Sequence, residues 1–133
     1  MLFRSDAAVL VISQLYAGGG NAGAQFTNDF VEIFNRGTTT INFAATPSIQ
    51  YAGATSSFGS SKVDLTSGTM APGQYFLVQL SSGGANGAPL PTPDASGSIA
   101  MAATAGKVAL VSGTTALSGS GCPLAATDRK SVV

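Results

Sequence analysis

The sequence predicts an all-β protein built as an antiparallel β-sandwich. Short segments rich in β-branched and aromatic residues alternate with turns rich in Gly, Pro, Asn and Ser, as in proteins made of many short strands. No stretch of about 10–12 residues shows the 3.6-residue periodicity of an amphipathic helix. With 133 residues, 44% of them hydrophobic, the chain is long and apolar enough for one domain with its own core.

Two segments have the clearest strand signals. Residues 9–16 begin fully apolar and end alternating, which is typical of a strand buried on both faces at one end. Residues 74–80 follow Ala71-Pro72-Gly73, a type II turn signal in which Pro72 pre-sets φ and Gly73 accepts a positive φ. Weaker or shorter strands are predicted at 30–35, 39–43, 48–52, 62–65, 99–101, 107–111 and 114–117.

The turn after the second strand is short. Asn35-Arg36-Gly37 is a tight-turn sequence, because Gly37 can take a positive φ. It predicts a bulged hairpin that joins residues 30–35 to residues 39–43.

Two connections are long and polar. Residues 18–28 are rich in glycine, and residues 81–97 contain three prolines, so we expect both connections to be irregular. Sandwiches present functional residues on their connections, and the alternative is that both loops are spacers. The candidate binding residues on these loops are Asn21, Asn28, Asn86 and Asp94.

The charge balance excludes several classes of function. Six Lys and Arg balance six Asp and Glu, and only 9% of residues are charged, so the chain lacks the basic patch that nucleic acid or an anionic membrane surface requires. No run approaches the roughly 18 apolar residues of a membrane-spanning helix, so membrane insertion is not expected.

No catalytic residue and no cofactor are predicted. The chain has no His to act as a general base, and it contains neither a G-x-S-x-G nor an S-x-x-K motif. Residues 18–23 satisfy G-x-G-x-x-G, but they lead into another strand rather than a helix, so they are expected to form a loop and not a dinucleotide site. The chain is therefore interpreted as non-enzymatic.

The acidic residues are expected to be structural. Asp29 and Glu32 are three apart on a strand and so face opposite sides, and Glu32, between two Phe, is expected to accept hydrogen bonds from backbone or from Arg36.

Two ligand alternatives stay open. Sugar binding would use Tyr51 or Phe58, and calcium binding, although no D-x-D-x-D-G spacing exists, would use Asn28, Asp29, Asp64 or Asp94.

Four segments in their order and spacing resemble the lamin-tail domain, in its bacterial secreted form. They are residues 9–16, 28–37, 70–78 and 106–110, which are similar to that family's V-I-S-Q-V-Y strand, its N-D-F-I-E-L-x-N-x-G segment and its later L-x-P-G-x-Y-x-L strand. The resemblance covers residues 8–123. The positions that match the family signature, all of them structural, are Asp29, Glu32, Asn35, Gly37, Pro72 and Gly73.

The resemblance implies an immunoglobulin-like sandwich that acts as a binding or attachment module of an exported bacterial multidomain protein. Its location would be extracellular or at the cell surface, and its partner a protein or a cell-surface polymer. An alternative is an accessory domain beside a secreted nuclease or phosphatase domain. The DNA binding of nuclear lamin tails is not transferred, because no basic patch supports it here.

The C-terminal end departs from the family pattern. Members continue past the Cys-Pro matched by Cys122-Pro123 into a last strand and a second Cys, whereas residues 124–133 do not match. We therefore expect a linker at 1–7, a domain at 8–123 that is truncated before its last strand, and a tail outside it. Cys122 would then lack a disulfide partner, and the open sheet edge would favour strand-to-strand self-association.

Overall fold

The computed structural model describes residues 9–121 and 129–132, and it confirms the all-β sandwich. Residues 10–121 and 129–132 contain no α-helix, and no helix of the described residues is long and apolar enough to cross a membrane. One short 3-10 helix occupies Phe43–Ala45. The strands are β1 (Leu10–Tyr16), β2 (Phe30–Asn35), β3 (Ile41–Asn42), β4 (Ser48–Gly53), β5 (Lys62–Asp64), β6 (Thr69–Met70), β7 (Tyr75–Gln79), β8 (Ala95–Ser96), β9 (Gly106–Val111) and β10 (Arg129–Val132).

Two four-stranded sheets form the sandwich. The first has the order β1-β2-β7-β8 and the second the order β10-β9-β4-β5, while β3 and β6 form a separate two-stranded ladder. Every pairing is antiparallel except that of β7 with β8. The pairings of β2 with β7 and of β4 with β9 join strands far apart in sequence, as expected for a sandwich.

The core lies between the two sheets. Alternate residues of β2 and β7 point inward, and the apolar residues of β4 and β9 meet them from the second sheet. A smaller apolar cluster covers the other face of the second sheet, where Phe58 and Leu117 pack on Ala109 and Val111. The main core is formed by residues such as Val31, Ile33, Phe43, Ile49, Met70, Phe76, Val78, Val108 and Leu110.

The predicted hairpin between β2 and β3 is wrong. β3 pairs with β6, through Ile41 with Met70 and Asn42 with Thr69, and not with β2. The partner of β2 on that side is β7, so the chain after Asn35 leaves the first sheet. The turn signal was local, whereas the choice of partner strand depends on long-range packing.

Two further segments predicted as strands are not strands. Residues 99–101 and 114–117 have irregular backbone. Their apolar residues Ile99, Met101 and Leu117 are nevertheless buried, as they would be in a strand. By contrast, the type II turn is present, since Gly73 has φ +79° and the Gln74 N–H donates to the Ala71 carbonyl at 3.0 Å.

The C-terminal tail contributes an edge strand. Residues 124–133 were expected to lie outside the domain, but β10 pairs with β9 along Ala109–Val111. The side of β9 away from β4 is therefore occupied rather than open. The expectations for residues 1–7 and for Cys122 fall outside the described residues.

Candidate functional site

The two long loops form one surface at the end of the sandwich where β2 begins. The Gly83 N–H donates to the Gly19 carbonyl at 2.8 Å, and the Ala88 N–H donates to the Gln25 carbonyl at 2.8 Å. The Thr27 N–H donates back to the Ala88 carbonyl at 2.9 Å. We call the paired residues 18–28 and 81–88 the loop platform. The two candidate binding loops, although about 60 positions apart, are thus a single structural unit.

Glycines allow the two backbones of the platform to touch. A Cβ on Gly84 would lie 2.7 Å from the Gly20 carbonyl oxygen, and a Cβ on Gly20 would overlap the Gly84 carbonyl oxygen. Gly20 also has φ +79°, a conformation that other residues rarely adopt. The glycine-rich composition that suggested a flexible spacer serves close packing here.

The buried carboxylate of Asp29 holds the platform to the sandwich. Its Oδ1 accepts the Gly19 N–H at 2.7 Å, and its Oδ2 accepts the Met101 N–H at 2.8 Å. Its own backbone pairs with Ser81 and Leu80, both at 2.8 Å. Hydrogen bonds from N–H groups to a carboxylate are stronger than neutral ones, and they compensate the burial of the charge at 4% exposure. Asp29 therefore joins three chain segments.

Three of the four candidate binding residues have hydrogen bonds that hold the loops, although Asn21, Asn86 and Asp94 are exposed. The Asn28 Nδ2 donates to the Leu80 carbonyl at 2.8 Å, and the Asn86 Nδ2 donates to the Gly20 carbonyl at 3.1 Å. Asp94 directly precedes β8, outside the platform, and its Oδ2 accepts the N–H of Leu77 on β7 at 2.8 Å. Asn21 is exposed, with its amide next to Gly83. The structure brings the three asparagines together and leaves Asp94 at the edge of the first sheet.

Asn35 has a comparable position at the opposite end of β2. Its buried Nδ2 donates to the carbonyls of Thr39 at 3.0 Å and Met70 at 2.9 Å, and its Oδ1 accepts the Gly37 N–H at 2.9 Å. Its backbone carbonyl accepts the Gly73 N–H at 2.8 Å, which ties the Pro72-Gly73 turn to β2. Four of the family-signature positions are thus part of one turn cluster.

Glu32 lies on the outer face of the first sheet, where Ser13 is a partner that the sequence analysis did not name. Ser13 donates to its Oε1 at 2.8 Å. Ser13 sits where the register of β1 shifts between Ile12 and Gln14, and such a bulge re-aims a side chain. The predicted separation of Asp29 and Glu32 onto opposite faces agrees with the burial of Asp29 and the partial exposure of Glu32.

The residues named for calcium are dispersed. Each carboxylate oxygen of Asp29 accepts one backbone N–H, and Asp64 forms an ion pair with Lys62 at 2.6 Å on β5. Within residues 9–121 and 129–132, no group of three His, Cys, Asp or Glu side chains is placed to hold a metal ion.

The two aromatic residues named for sugar binding are occupied by packing. Phe58 is buried in the smaller apolar cluster, with the Lys107 ammonium 5.5 Å from its ring centroid. Tyr51 packs on the main core, and its hydroxyl accepts the Ala102 N–H at 2.9 Å. Phe58 is thus buried, and Tyr51 is partly buried with its hydroxyl engaged by the backbone.

Sequence reasoning missed the exposed aromatic pair of Phe34 and Tyr75. Their ring centroids are 4.6 Å apart, and Tyr75 is 55% exposed. The available signal was strand alternation. The residues that alternate with the core positions of β2 and β7 include Phe34 and Tyr75, which are aromatic where solvent-facing residues are usually polar.

Neither the protein-family models nor the curated proteins that were compared with this chain give a match. The lamin-tail resemblance therefore stays a prediction.

Proposed function

We propose that this chain is a non-catalytic binding module, of the lamin-tail type, that attaches an exported bacterial multidomain protein to a protein or polymer of the cell surface. The observation that supports this most is the union of the two loops into one platform fixed by the buried Asp29. A pure spacer does not need two loops joined by hydrogen bonds and by a buried carboxylate, whereas a binding surface gains affinity when it is ordered in advance.

The solvent side of the platform is suited to a polar, uncharged partner surface. Residues 21–23 and 82–89 are exposed, and none of them is charged. Their side chains are the amides of Asn21 and Asn86 and small groups such as those of Ala22 and Ala85. Such a surface offers hydrogen bonds and close backbone approach rather than charge attraction.

The experiment measures attachment of the fluorescently labelled full chain to cells of the bacterium that produces it. The test variant is Ala22→Arg/Ala85→Arg, which adds two bulky charges to exposed platform positions without touching a loop-to-loop hydrogen bond. The matched control is Ser57→Arg/Ser60→Arg, which adds the same charge at exposed positions between β4 and β5.

We expect the platform variant to lose attachment by at least about tenfold and the control to retain it. Equal retention by both variants, or no attachment by the unmodified chain, would overturn the proposal. Equal melting temperatures for the three proteins exclude misfolding as the cause.

A further inference from the structure

A second surface lies on the outer face of the first sheet, away from the core. Because Val31, Ile33, Phe76 and Val78 point inward, their neighbours on β2 and β7 point outward. The strand register arranges the outward residues of β1, β2 and β7 in three rows: Val11–Phe34–Tyr75, Gln14–Glu32–Leu77 and Tyr16–Phe30–Gln79.

One end row of this face is covered by a residue of the loop platform, and the other contains an exposed aromatic ring. Phe26 of the loop platform lies over the Tyr16 and Phe30 rings, with centroid distances of 5.3 and 5.8 Å in edge-to-face geometry. Among residues 9–121, no aromatic ring covers Tyr75 in this way, and Tyr75 is the one large hydrophobic residue of the described positions that is exposed. Phe34 packs against the Tyr75 ring at an interplanar angle of 36° and so fixes its orientation. Tyr75 is therefore an oriented aromatic ring open to solvent.

The open patch is too small for a second copy of the chain. It spans three strands, about 10 Å, and two rows, about 7 Å, which gives an area on the order of 100 Å². A stable protein interface needs roughly 800 Å² on each partner. A ligand of matching size is one or two six-membered rings.

The polar neighbours of the patch favour a neutral ligand rich in hydroxyl groups. The central row holds Gln14 and Glu32, and Ser13 fixes the Glu32 carboxylate through Oε1. None of the nine outward residues is Lys or Arg, and Glu32 is the one charged residue among the nine, so the face itself disfavours an anionic ligand. Carboxylate and amide side chains accept and donate the hydrogen bonds that hydroxyl groups require.

We propose that this face binds a neutral pyranose polysaccharide, with the apolar C–H face of one sugar ring stacked on Tyr75. The hydroxyls of that ring or the next one bond to Glu32 and Gln14. This site is separate from the loop platform, and it replaces Tyr51 and Phe58 as the aromatic element of a sugar site.

The test titrates the full chain with cellohexaose, xylohexaose and mannohexaose, and with hexagalacturonic acid as the anionic arm, by isothermal calorimetry. We expect at least one neutral oligosaccharide to bind and the anionic one not to bind. Tyr75→Ala should weaken that binding at least about tenfold, whereas Tyr75→Phe should keep it within about threefold, because the ring and not the hydroxyl provides the stacking surface.

Glu32→Ala should also weaken oligosaccharide binding, and Ala22→Arg/Ala85→Arg should leave it unchanged. The last variant separates this site from the platform, so that either proposal can fail alone. Absence of binding to all three neutral oligosaccharides, preference for the anionic one, or unchanged binding in Tyr75→Ala would overturn the inference. Because Tyr75 is exposed, its variants should melt with the unmodified protein, and a melting curve checks this.

Discussion

The two ends of β2 are held to neighbouring segments by different polar side chains, Asp29 at the beginning and Asn35 at the end. At the beginning of the strand, the charged Asp29 accepts two backbone N–H groups from segments 10 and 72 positions away in sequence. At its end, the neutral Asn35 donates to two carbonyls and accepts one N–H, mostly within nearby turns. A carboxylate can only accept, and an amide can do both, so each side chain matches the groups around it.

This difference has a structural consequence. The Asp29 end holds long, irregular loops whose position depends on one buried charge, whereas the Asn35 end closes short turns that are part of the sandwich framework. We therefore expect damage at Asp29 to release the platform locally, and damage at Asn35 to lower the stability of the whole domain.

Asn35→Asp should have the largest effect. The substitution places a carboxylate oxygen against the carbonyls of Thr39 and Met70, which removes two donated hydrogen bonds and buries an unpaired charge. The free energy of unfolding should fall by about 3–5 kcal/mol, which is a large part of a typical domain stability of about 5–15 kcal/mol. Urea unfolding at neutral pH measures it, with the exposed Thr40→Asp as control. A loss below about 1 kcal/mol would contradict this role of Asn35.

Asp29→Asn is the matched change at the other end, and its effect should be smaller and more local. One oxygen becomes an NH₂ group that faces the N–H of either Gly19 or Met101, so one bond is replaced by two opposed donors and the other loses its charge assistance. The cost should be about 2–3 kcal/mol. Hydrogen exchange at the Gly19 and Met101 amides should accelerate more than exchange at core amides such as Val31.

The control for Asp29→Asn is Glu32→Gln, three residues along the same strand on the outer face. It should change stability by less than about 0.5 kcal/mol. Uniform acceleration of exchange across the domain would show that Asp29, like Asn35, belongs to the framework, and the contrast between the two ends would not hold.

The two ends of β2 should also respond differently when a nearby glycine is replaced by alanine. A Cβ on Gly19 would overlap the backbone at Asn28, whereas a Cβ on Gly37 would lie 2.7 Å from Val9 Cγ1, a side-chain atom that can move away. Gly19→Ala should therefore destabilise by about 1–3 kcal/mol and Gly37→Ala by less than about 1 kcal/mol. Thermal melting of the two variants side by side measures the difference, and equal shifts would show that the platform accommodates the methyl group.

The strands of the framework could be predicted from local patterns. β1, β2, β4, β7 and β9 each have several β-branched or aromatic residues, bounded by turn residues, and could be recognised without tertiary information, whereas β5 has a weaker signal. The pairing of β3 with β6 could not, since the Asn35-Arg36-Gly37 signal is local and the partner is set by contacts about 30 residues away. Tail strand β10 had no family pattern to match.

The candidate site was predictable only in part. Its two loops were identified from their length and composition, but their union depends on backbone contacts between glycines, which leave no periodic signal in the sequence. The placement of Asp29 on the core face did contain a clue, because a buried carboxylate must find donors, and a neighbouring glycine-rich loop has free N–H groups. The outward aromatic pair Phe34 and Tyr75 was also readable from strand alternation.

Ser48→Ala tests whether the second sheet depends on a comparable polar anchor, and it should have the smallest effect. Ser48 Oγ donates to the Gly113 carbonyl at 2.6 Å and accepts from Gln50 Nε2 at 3.0 Å. Gln50 keeps two other bonds, to the Thr115 carbonyl and from the Leu117 N–H, so segment 113–117 stays attached after the serine hydroxyl is lost. We expect Ser48→Ala to lower the free energy of unfolding, measured in urea, by about 1 kcal/mol. The control Ser60→Ala, at an exposed position, should leave it unchanged. If Ser48→Ala lowers the free energy of unfolding as much as Asp29→Asn does, the remaining hydrogen bonds of Gln50 do not compensate for the lost hydroxyl. The neutral Ser48–Gln50 pair would then be as sensitive to substitution as the single buried carboxylate of Asp29.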